Sequence, residues 1–123
     1  MRSRSGERLH PLTVFKSDLE KCMKCGFCRE LCPAFSFYSW ESNSPRGRLQ
    51  LLKALMDREL PRASSYLSER LYFCMTCAYC FRRCPAGVKP HEAFEASRAM
   101  LASQGKAPKE HSKLLENISR FGN

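Results

Sequence analysis

Two runs of closely spaced cysteines constrain this chain more than any other feature of its sequence. Both runs follow the pattern C-x2-C-x2-C-x3-C-P, and each cysteine of the second run lies 52 positions after its counterpart in the first. Together they contain all eight cysteines of the protein: Cys22, Cys25, Cys28, Cys32, Cys74, Cys77, Cys80 and Cys84. This repeated spacing is typical of proteins that bind two [4Fe-4S] clusters.

The spacing also predicts how the thiolates are divided between the clusters. The first three cysteines of a run can bind three corners of one cube, while the fourth, displaced by an extra residue and followed by proline, is directed to the other cube. Cluster 1 is therefore predicted to be bound by Cys22, Cys25, Cys28 and Cys84. Cluster 2 is predicted to be bound by Cys74, Cys77, Cys80 and Cys32.

Two other uses of paired cysteines fit this spacing less well. A tetrahedral zinc site takes four ligands from two C-x2-C pairs, which leaves no role for the third cysteine of each run or for proline after the fourth. Disulfides need an oxidising compartment, and cysteines three positions apart are poorly placed to bridge one another. The sequence therefore favours iron-sulfur clusters over both alternatives.

Charge and hydrophobicity limit the possible partners. The formal net charge is +9, but the basic residues form no long run of the kind that binds nucleic acid. An acidic partner protein and an ordinary solvated surface both fit this distribution. The sequence has no stretch of the roughly 20 apolar residues that a membrane span needs, and no apolar signal segment follows Met1. We expect a cytoplasmic protein, with any membrane association made through a partner.

Residues between and after the cysteines repeat under the same offset. Eight of them are predicted to surround the clusters, namely Met23, Gly26, Phe27, Pro33, Met75, Ala78, Tyr79 and Pro85. The small residues at positions 26 and 78 leave room for backbone N-H groups to approach the sulfurs. The methionine and aromatic side chains would either shield the clusters from water or simply fill the core.

Helical periodicity dominates the sequence outside the two runs. Ser17 or Asp18 could cap a short helix that leads into the first run. Ser44 and Pro45 have the identities of an N-cap and a first helical residue, and the apolar residues after them recur with helical period until Pro61. The segment between the runs is therefore predicted to contain a helix that begins at Pro45, includes Leu60 and is ended by Pro61.

Three more helices are predicted in the second half of the chain. One begins near Ser64 or Ser65 and leads into the second run, one follows the turn of residues 87–90 and ends at Gly105, and one covers residues 109–121. The last has an apolar face formed by Leu114, Leu115, Ile118 and Phe121. No stretch alternates between apolar and polar residues as a strand would.

We therefore predict an all-α fold in which two cysteine runs, with a helical insertion between them, hold two [4Fe-4S] clusters. Residues 1–16 are expected to form a flexible N-terminal arm, and residues 17–123 a single domain. Because thiolates from two distant stretches converge on the clusters, the free energy of cluster binding is also free energy of folding.

The order of these motifs resembles that of a known group of iron-sulfur proteins. Residues 44–49 read Ser-Pro-Arg-Gly-Arg-Leu, and Gly87 and Val88 follow the second run. Together with the cysteines, these features resemble the short iron-sulfur subunit of heterodisulfide reductase, the iron-sulfur subunit of glycolate oxidase and that of anaerobic glycerol-3-phosphate dehydrogenase. The similarity covers most of residues 18–122. The predicted fold looks like the α-helical ferredoxin fold, as in the C-terminal part of succinate dehydrogenase iron-sulfur subunits.

This resemblance implies an electron relay between a flavin-bearing subunit and another that has a cysteine-rich catalytic site. The glycolate oxidase and glycerol-3-phosphate dehydrogenase types continue into cysteine-rich domains after a segment similar to residues 118–123. We therefore expect this chain to resemble the short heterodisulfide reductase subunit more than the other two types. An iron-sulfur subunit of a 2-hydroxy acid or glycerol-3-phosphate dehydrogenase is the alternative.

The residues themselves favour electron transfer over catalysis. Eight cysteines for two clusters leave no iron with an open coordination position. His10, His91 and His111 have no neighbouring nucleophile or carboxylate that would suit catalysis, so we expect surface or helix-cap roles for them. Arg46 or Arg48 is expected to pair with a carboxylate or a carbonyl near the clusters. An iron-sulfur sensing or binding module is the second alternative, and its support is the basic net charge.

Overall fold

Seven α-helices and two short 3₁₀ segments form the regular structure of the described residues. The computed structural model describes residues 11–60 and 64–122. The 3₁₀ segments are Pro11–Phe15 and Glu41–Asn43, and the helices are α1 (Lys16–Lys21), α2 (Pro33–Tyr38), α3 (Pro45–Met56), α4 (Ser65–Tyr72), α5 (Tyr79–Arg82), α6 (Pro90–Ser103) and α7 (Lys109–Phe121). No strand occurs in the two described ranges, so the prediction of an all-α fold is confirmed.

One cluster of buried apolar side chains joins the first 3₁₀ segment to α1, α3, α4 and α6. Its members are Leu12, Leu19, Leu49, Leu52, Leu55, Leu67, Leu71, Val88, Ala93, Phe94, Met100 and Leu101. Three of the cysteines, Cys22, Cys74 and Cys84, pack against this cluster. Removal of these apolar side chains from water stabilises the fold, and the packing holds both cysteine runs at the edge of the core.

Two predictions concern the N-terminal boundary. Residues 1–10 of the predicted arm lie outside the described residues, but Leu12 is fully buried and its 3₁₀ segment contacts α6. Residues 11–15 therefore contact the domain, and the flexibility of the arm stays a prediction. The prediction that Ser17 or Asp18 caps the first helix is wrong, because α1 begins at Lys16 and both residues lie inside its first turn.

Helix α3 begins as the sequence predicts. Ser44 is the N-cap, and its Oγ accepts a hydrogen bond from the Gly47 N-H group at 2.9 Å. Pro45 is the first helical residue, where its missing N-H group has no cost. The Ser44 hydroxyl also donates to Glu41 Oε1 at 2.9 Å. The cap therefore fixes the N-terminus of α3 against the 3₁₀ segment Glu41–Asn43.

The predicted end of the same helix is wrong. Helix α3 ends at Met56, whereas the prediction extends it to Pro61, which lies outside the described residues. Arg58 adopts the left-handed conformation, with φ of 62°. Its N-H group donates to the Leu55 carbonyl oxygen at 3.3 Å, and the next N-H group donates to the Ala54 carbonyl oxygen at 2.8 Å. These two bonds form a Schellman motif, which ends a helix without proline.

The predictions for the three later helices agree with the structure. Helix α4 follows Ser64, whose Oγ accepts a hydrogen bond from the Leu67 N-H group at 3.5 Å. Helix α6 begins at Pro90, and Gly105 follows its end in the left-handed conformation, with φ of 69°. Helix α7 covers the predicted residues. The sequence does not predict the short helices α2, which follows the first cysteine run, and α5, which lies within the second.

Helix α7 differs from the long helices α3, α4 and α6 because none of its residues is buried. Its apolar side chains are exposed, and they are Leu114, Leu115, Ile118 and Phe121. Near its first turn, the ring of His111 packs edge-on against Tyr72 of α4, with ring centroids 5.0 Å apart. None of the helices in residues 11–60 and 64–122 is long and apolar enough to cross a membrane.

Candidate iron-sulfur centre

The two cysteine runs repeat in backbone conformation as well as in sequence. Lys24 and Gly26 in the first run have φ of 58° and 88°, and their counterparts Thr76 and Ala78 have φ of 52° and 58°. Left-handed residues that alternate with other conformations form concave loops of N-H groups, which bind anions and iron-sulfur clusters. Because three of these four residues are not glycine, this shared loop conformation is hard to predict from residue identity.

The first cavity lies between the first run and the end of the second. It is lined by Cys22, Cys25, Cys28 and Cys84, the four cysteines predicted to bind cluster 1, and also by Cys80. The structure therefore brings the last cysteine of the second run to the first three of the other run.

The second cavity has the complementary set of cysteines. It is lined by Cys32, Cys74, Cys77 and Cys80, the four predicted to bind cluster 2, and also by Cys28. Since Cys28 and Cys80 line both cavities, the two cavities adjoin. Which thiolate binds which cluster stays a prediction.

The cysteines differ in exposure within each run. Cys25 and Cys77, the middle members of the two sets of three, are exposed, whereas Cys32 and Cys80 are buried. Each cavity therefore has one thiol at the protein surface. Among the described residues, no three ligand side chains converge on a single metal ion. The thiolates of a cubane bind four separate iron atoms, so they need not converge on one point.

Burial controls the protonation of the inner thiols. It raises the pKa of Cys28 and, with the neighbouring Cys74 thiol, raises the pKa of Cys80 to about 12. Hydrogen bonds from backbone N-H groups act to lower these pKa values. The N-H group of Arg46 favours the Cys28 thiolate, and that of Phe81 favours the Cys80 thiolate. Without a cluster these thiols are neutral, so cluster binding must release protons.

Arg46 connects the N-terminus of α3 to the wall of the first cavity. Its Nε donates to Glu41 Oε1 at 2.5 Å, and its Nη1 donates to the Lys24 carbonyl oxygen at 2.9 Å. Partial burial acts to raise the pKa of Glu41, but hydrogen bonds from Arg46 and Ser44 outweigh it and hold that pKa below its usual value. The predicted pairing of Arg46 with a carboxylate or a carbonyl is confirmed for both partners.

Arg48 occupies the corresponding place at the second cavity, but it is fully buried. Its Nε donates to the Arg70 carbonyl oxygen at 2.7 Å, as predicted. Its Nη1 and Nη2 atoms are also buried, and neither has a hydrogen-bond partner within residues 11–60 and 64–122. A buried cation with unpaired donors is strongly destabilised unless a negative group lies beside it. A cluster with four thiolates carries net negative charge, so the residues at this cavity fit a [4Fe-4S] cluster.

The structure corrects the predicted role of one histidine. His91, in the first turn of α6, lines the second cavity and packs against Phe81 with ring centroids 5.5 Å apart. Its Nδ1 is buried and has no hydrogen-bond partner in the described part of the chain, so the prediction of a surface or helix-cap role for His91 is wrong. His10 lies outside the described residues. The proximity of His91 to the cysteines is not predictable from the sequence, because the chain between Cys84 and His91 shows no ligand pattern.

The eight residues predicted to surround the clusters divide between the cavities, with one exception. The first cavity is lined by Met23, Gly26 and Pro85, and the second by Pro33, Met75, Ala78 and Tyr79. Phe27 lines neither, and instead borders a surface depression with Arg82, Arg83 and Pro85. Met23 is 63% exposed and Met75 is 70% exposed, so these methionines do not fill the hydrophobic core. Their role in shielding clusters stays a prediction.

With this geometry in place, comparison with known proteins shows the family. The sequence matches the model of the 4Fe-4S dicluster domain over residues 18–88, which is more than half of the chain and includes both cysteine runs. The chain belongs to the 4Fe-4S dicluster domain family. The match to this family also agrees with the preference for iron-sulfur clusters over zinc and disulfides.

Three relatives illustrate the range of this similarity. The glycolate oxidase iron-sulfur subunit of Escherichia coli (strain K12) is 33% identical over 106 residues, which are 86% of this chain and 24% of that protein. A CoB-CoM heterodisulfide reductase iron-sulfur subunit of Methanopyrus kandleri is 31% identical over 104 residues, 85% of this chain and 50% of that protein. A ferredoxin:CoB-CoM heterodisulfide reductase subunit of Methanosarcina mazei is 29% identical over 118 residues, 96% of this chain and 68% of that protein.

The resemblance to the iron-sulfur subunits of glycolate oxidase and heterodisulfide reductase is therefore confirmed. The chain spans about a quarter of the length of the Escherichia coli relative and about half of the length of the Methanopyrus kandleri relative. No solved structure matches the chain significantly.

Proposed function

We propose that this chain is an electron-transfer subunit that holds two [4Fe-4S] clusters within a larger oxidoreductase. The observation that carries the proposal is the pair of adjoining cavities, each lined by the first three cysteines of one run and the last two of the other. Clusters bound there are close neighbours, which suits the transfer of single electrons from one to the other. The exposed thiols of Cys25 and Cys77 bring one edge of each cluster to the surface, where a partner can exchange electrons.

The ligand sets of the proposal are those of the two cavities. Cluster 1 is bound by Cys22, Cys25, Cys28 and Cys84, and cluster 2 by Cys32, Cys74, Cys77 and Cys80. The cavities support this division, because Cys84 lines the first and not the second, whereas Cys32 lines the second and not the first. The domain that binds them is proposed to extend to residue 123, with α7 as its last helix.

The parent complex is proposed to be of the heterodisulfide reductase type, in which the chain relays electrons between a flavin-containing subunit and a cysteine-rich catalytic one. Support comes from relatives named as subunits of heterodisulfide reductases. Thiolate-bound clusters need a reducing compartment, which favours the cytoplasm. No residue is assigned a catalytic role.

Two exposed apolar surfaces are suited to the partner subunits. One is the unburied face of α7 described above. The other is an aromatic patch in which each ring lies within 6.3 Å of another, and it consists of Phe37, Tyr38, Trp40 and Phe73. All four are exposed, and Phe73 directly precedes Cys74. Contiguous exposed apolar side chains of this kind mark protein interfaces.

Anaerobic reconstitution followed by reductive titration tests the proposal. We expect about eight iron atoms per chain and two interacting S = 1/2 signals in the EPR spectrum, with no substrate turnover by the isolated chain. About one zinc ion per chain without iron would refute the cluster assignment. Anaerobic purification of the native protein should recover the flavin-containing and cysteine-rich subunits, and recovery of a fully active monomer would contradict the role as a subunit.

The second candidate function is that of the iron-sulfur subunit of a 2-hydroxy acid or glycerol-3-phosphate dehydrogenase. The relative of Escherichia coli named as a glycolate oxidase iron-sulfur subunit favours it. The same purification separates the two candidates, because a 2-hydroxy acid or glycerol-3-phosphate dehydrogenase activity would accompany the chain only in the second case.

A further inference from the structure

Each cavity has one arginine on its wall, but only one of the two is compensated by a carboxylate. Arg46 at the first cavity is paired with Glu41 and bonded to the Lys24 carbonyl oxygen, and its side chain is 26% exposed. Arg48 at the second cavity is fully buried, and the only hydrogen bond of its guanidinium found among the described residues goes to the Arg70 carbonyl oxygen. The positive charge of Arg48 is therefore available to a group in the second cavity.

Other charges near the first cavity do not reverse this difference. Lys24, Arg82 and Arg83 lie near it, but all three are exposed. Arg83 is also paired with Glu30 at 3.1 Å. Water and salt screen exposed charges far more than buried ones, so these cations act weakly on a group inside the cavity.

The second cavity holds little other charge. The residues between its cysteines are uncharged, namely Met75, Thr76, Ala78 and Tyr79. Arg70, whose carbonyl oxygen binds Arg48, has its own guanidinium paired with Glu69 at 3.1 Å. His91 also lines this cavity, and any positive charge on its ring would act in the same direction as Arg48. Arg48 is therefore the dominant cation at the second cavity.

A buried cation stabilises the reduced form of a cluster more than the oxidised form. Reduction of a [4Fe-4S] cluster adds one electron and one unit of negative charge, and no bond forms or breaks. Coulombic attraction to this extra charge is strong where water is excluded. Charge and hydrogen bonds near the sulfurs are among the factors that set the reduction potential. The unpaired Nη1 and Nη2 atoms of Arg48 can supply both.

We propose that Arg48 gives cluster 2 the higher reduction potential, so that the first electron to enter the protein resides on cluster 2. This inference rests on the proposed function, since it requires both clusters. It also assigns a role to the Ser-Pro-Arg-Gly-Arg segment that accompanies the cysteine runs. The cap of α3 holds its first turn against the cysteines, and Arg48 in that turn is the charge partner of cluster 2.

An anaerobic EPR-monitored potentiometric titration, with dithionite as the reductant, tests the order of the potentials. The samples are the reconstituted full chain and its Arg48→Met, Arg48→Lys and Arg46→Gln variants. We expect Arg48→Met to shift the higher of the two potentials downwards and to leave the lower one in place. Arg48→Lys should shift the higher potential by a smaller amount, because it keeps the charge. Arg46→Gln is the matched control and should not move the higher potential.

The opposite results overturn the inference. It is wrong if Arg48→Met leaves both potentials unchanged or moves only the lower one. If Arg48→Met loses one cluster, the centre that remains should titrate at the lower wild-type potential, and titration at the higher one would contradict the inference.

A second measurement needs no variant. In the wild-type protein, raising the salt concentration should move the lower potential more than the higher one, because the cations near the first cavity are exposed. The reverse sensitivity would contradict the role of Arg48. Iron analysis of each sample distinguishes failure of this inference from failure of the proposed function. If the proposed function is wrong, the chain binds no clusters and the samples contain no iron.

Discussion

Arg46 Nη1 donates a hydrogen bond to the carbonyl oxygen of Lys24 at 2.9 Å, across 22 positions of sequence. Lys24 is one of the left-handed residues of the first cysteine loop. The same guanidinium is paired with Glu41, which the cap of α3 also contacts. Arg46 therefore couples the conformation of this loop to the start of α3, and through it to the core.

Replacement of this arginine should weaken cluster 1 selectively. In Arg46→Gln, the Lys24 carbonyl oxygen and Glu41 lose a charged donor, and we expect the folded protein to lose about 1 kcal/mol of stability because the site is partly exposed. Cluster 1 should release its iron to a chelator several times faster than in the wild type, and cluster 2 should not. Iron release followed by absorbance and EPR measures both rates. Equal acceleration at the two clusters would contradict a local role for Arg46.

Gly47 should not tolerate even a methyl group. A Cβ at this position would lie 1.8 Å from the carbonyl oxygen of Glu41, a backbone atom of the neighbouring 3₁₀ segment. Although alanine favours a helix over glycine by about 1 kcal/mol, the overlap should make Gly47→Ala destabilising by about 3 kcal/mol. The midpoint of thermal unfolding measured by circular dichroism should fall by about 10 °C. Gln50→Ala in the same helix is the control and should change the midpoint little.

A buried leucine of α6 and an exposed leucine of α7 should differ in their contribution to stability. Leu101 of α6 is fully buried, and Leu115 of α7 is 66% exposed. We expect Leu101→Ala to reduce the free energy of unfolding by about 2 to 5 kcal/mol, a range typical of buried leucines, and Leu115→Ala to change it by less than about 0.5 kcal/mol. Denaturant unfolding of the isolated chain measures both. A large loss for Leu115→Ala would show that α7 packs on the domain, and so would count against its face as a partner surface.

Local signals in the sequence are enough to predict most helices, because a cap or a breaker at a helix end acts within one turn. Ser44, Pro45 and Ser64 are recognisable for this reason. The end of α3 is not predictable in this way, because a left-handed arginine at position 58, which no local preference indicates, stops the helix before Pro61. The burial of Leu12 is not predictable from local sequence because it depends on contacts with α6, about 80 positions later.

The candidate site shows the same division between local and distant information. The spacing of the cysteines predicts a set of four for each cluster, since the x3 gap and the proline act on the adjacent backbone, and the members of each set line one cavity. The burial of Arg48 depends on the Arg70 carbonyl oxygen, 22 positions away, and the position of His91 depends on how α6 packs. The Ser-Pro-Arg-Gly-Arg segment predicts that Arg48 pairs near the clusters but not that it is fully buried, and no sequence pattern distinguishes His91 from a surface residue.

The exchange of ligands between the runs is most directly tested by comparing two alanine variants, Cys84→Ala and Cys80→Ala, by Mössbauer and EPR spectroscopy after anaerobic reconstitution. We predict that Cys84→Ala converts cluster 1 to a three-iron form or loses it and leaves cluster 2 nearly intact, whereas Cys80→Ala damages cluster 2. If both substitutions damage the same cluster, each run binds its own cluster and the exchanged assignment is wrong.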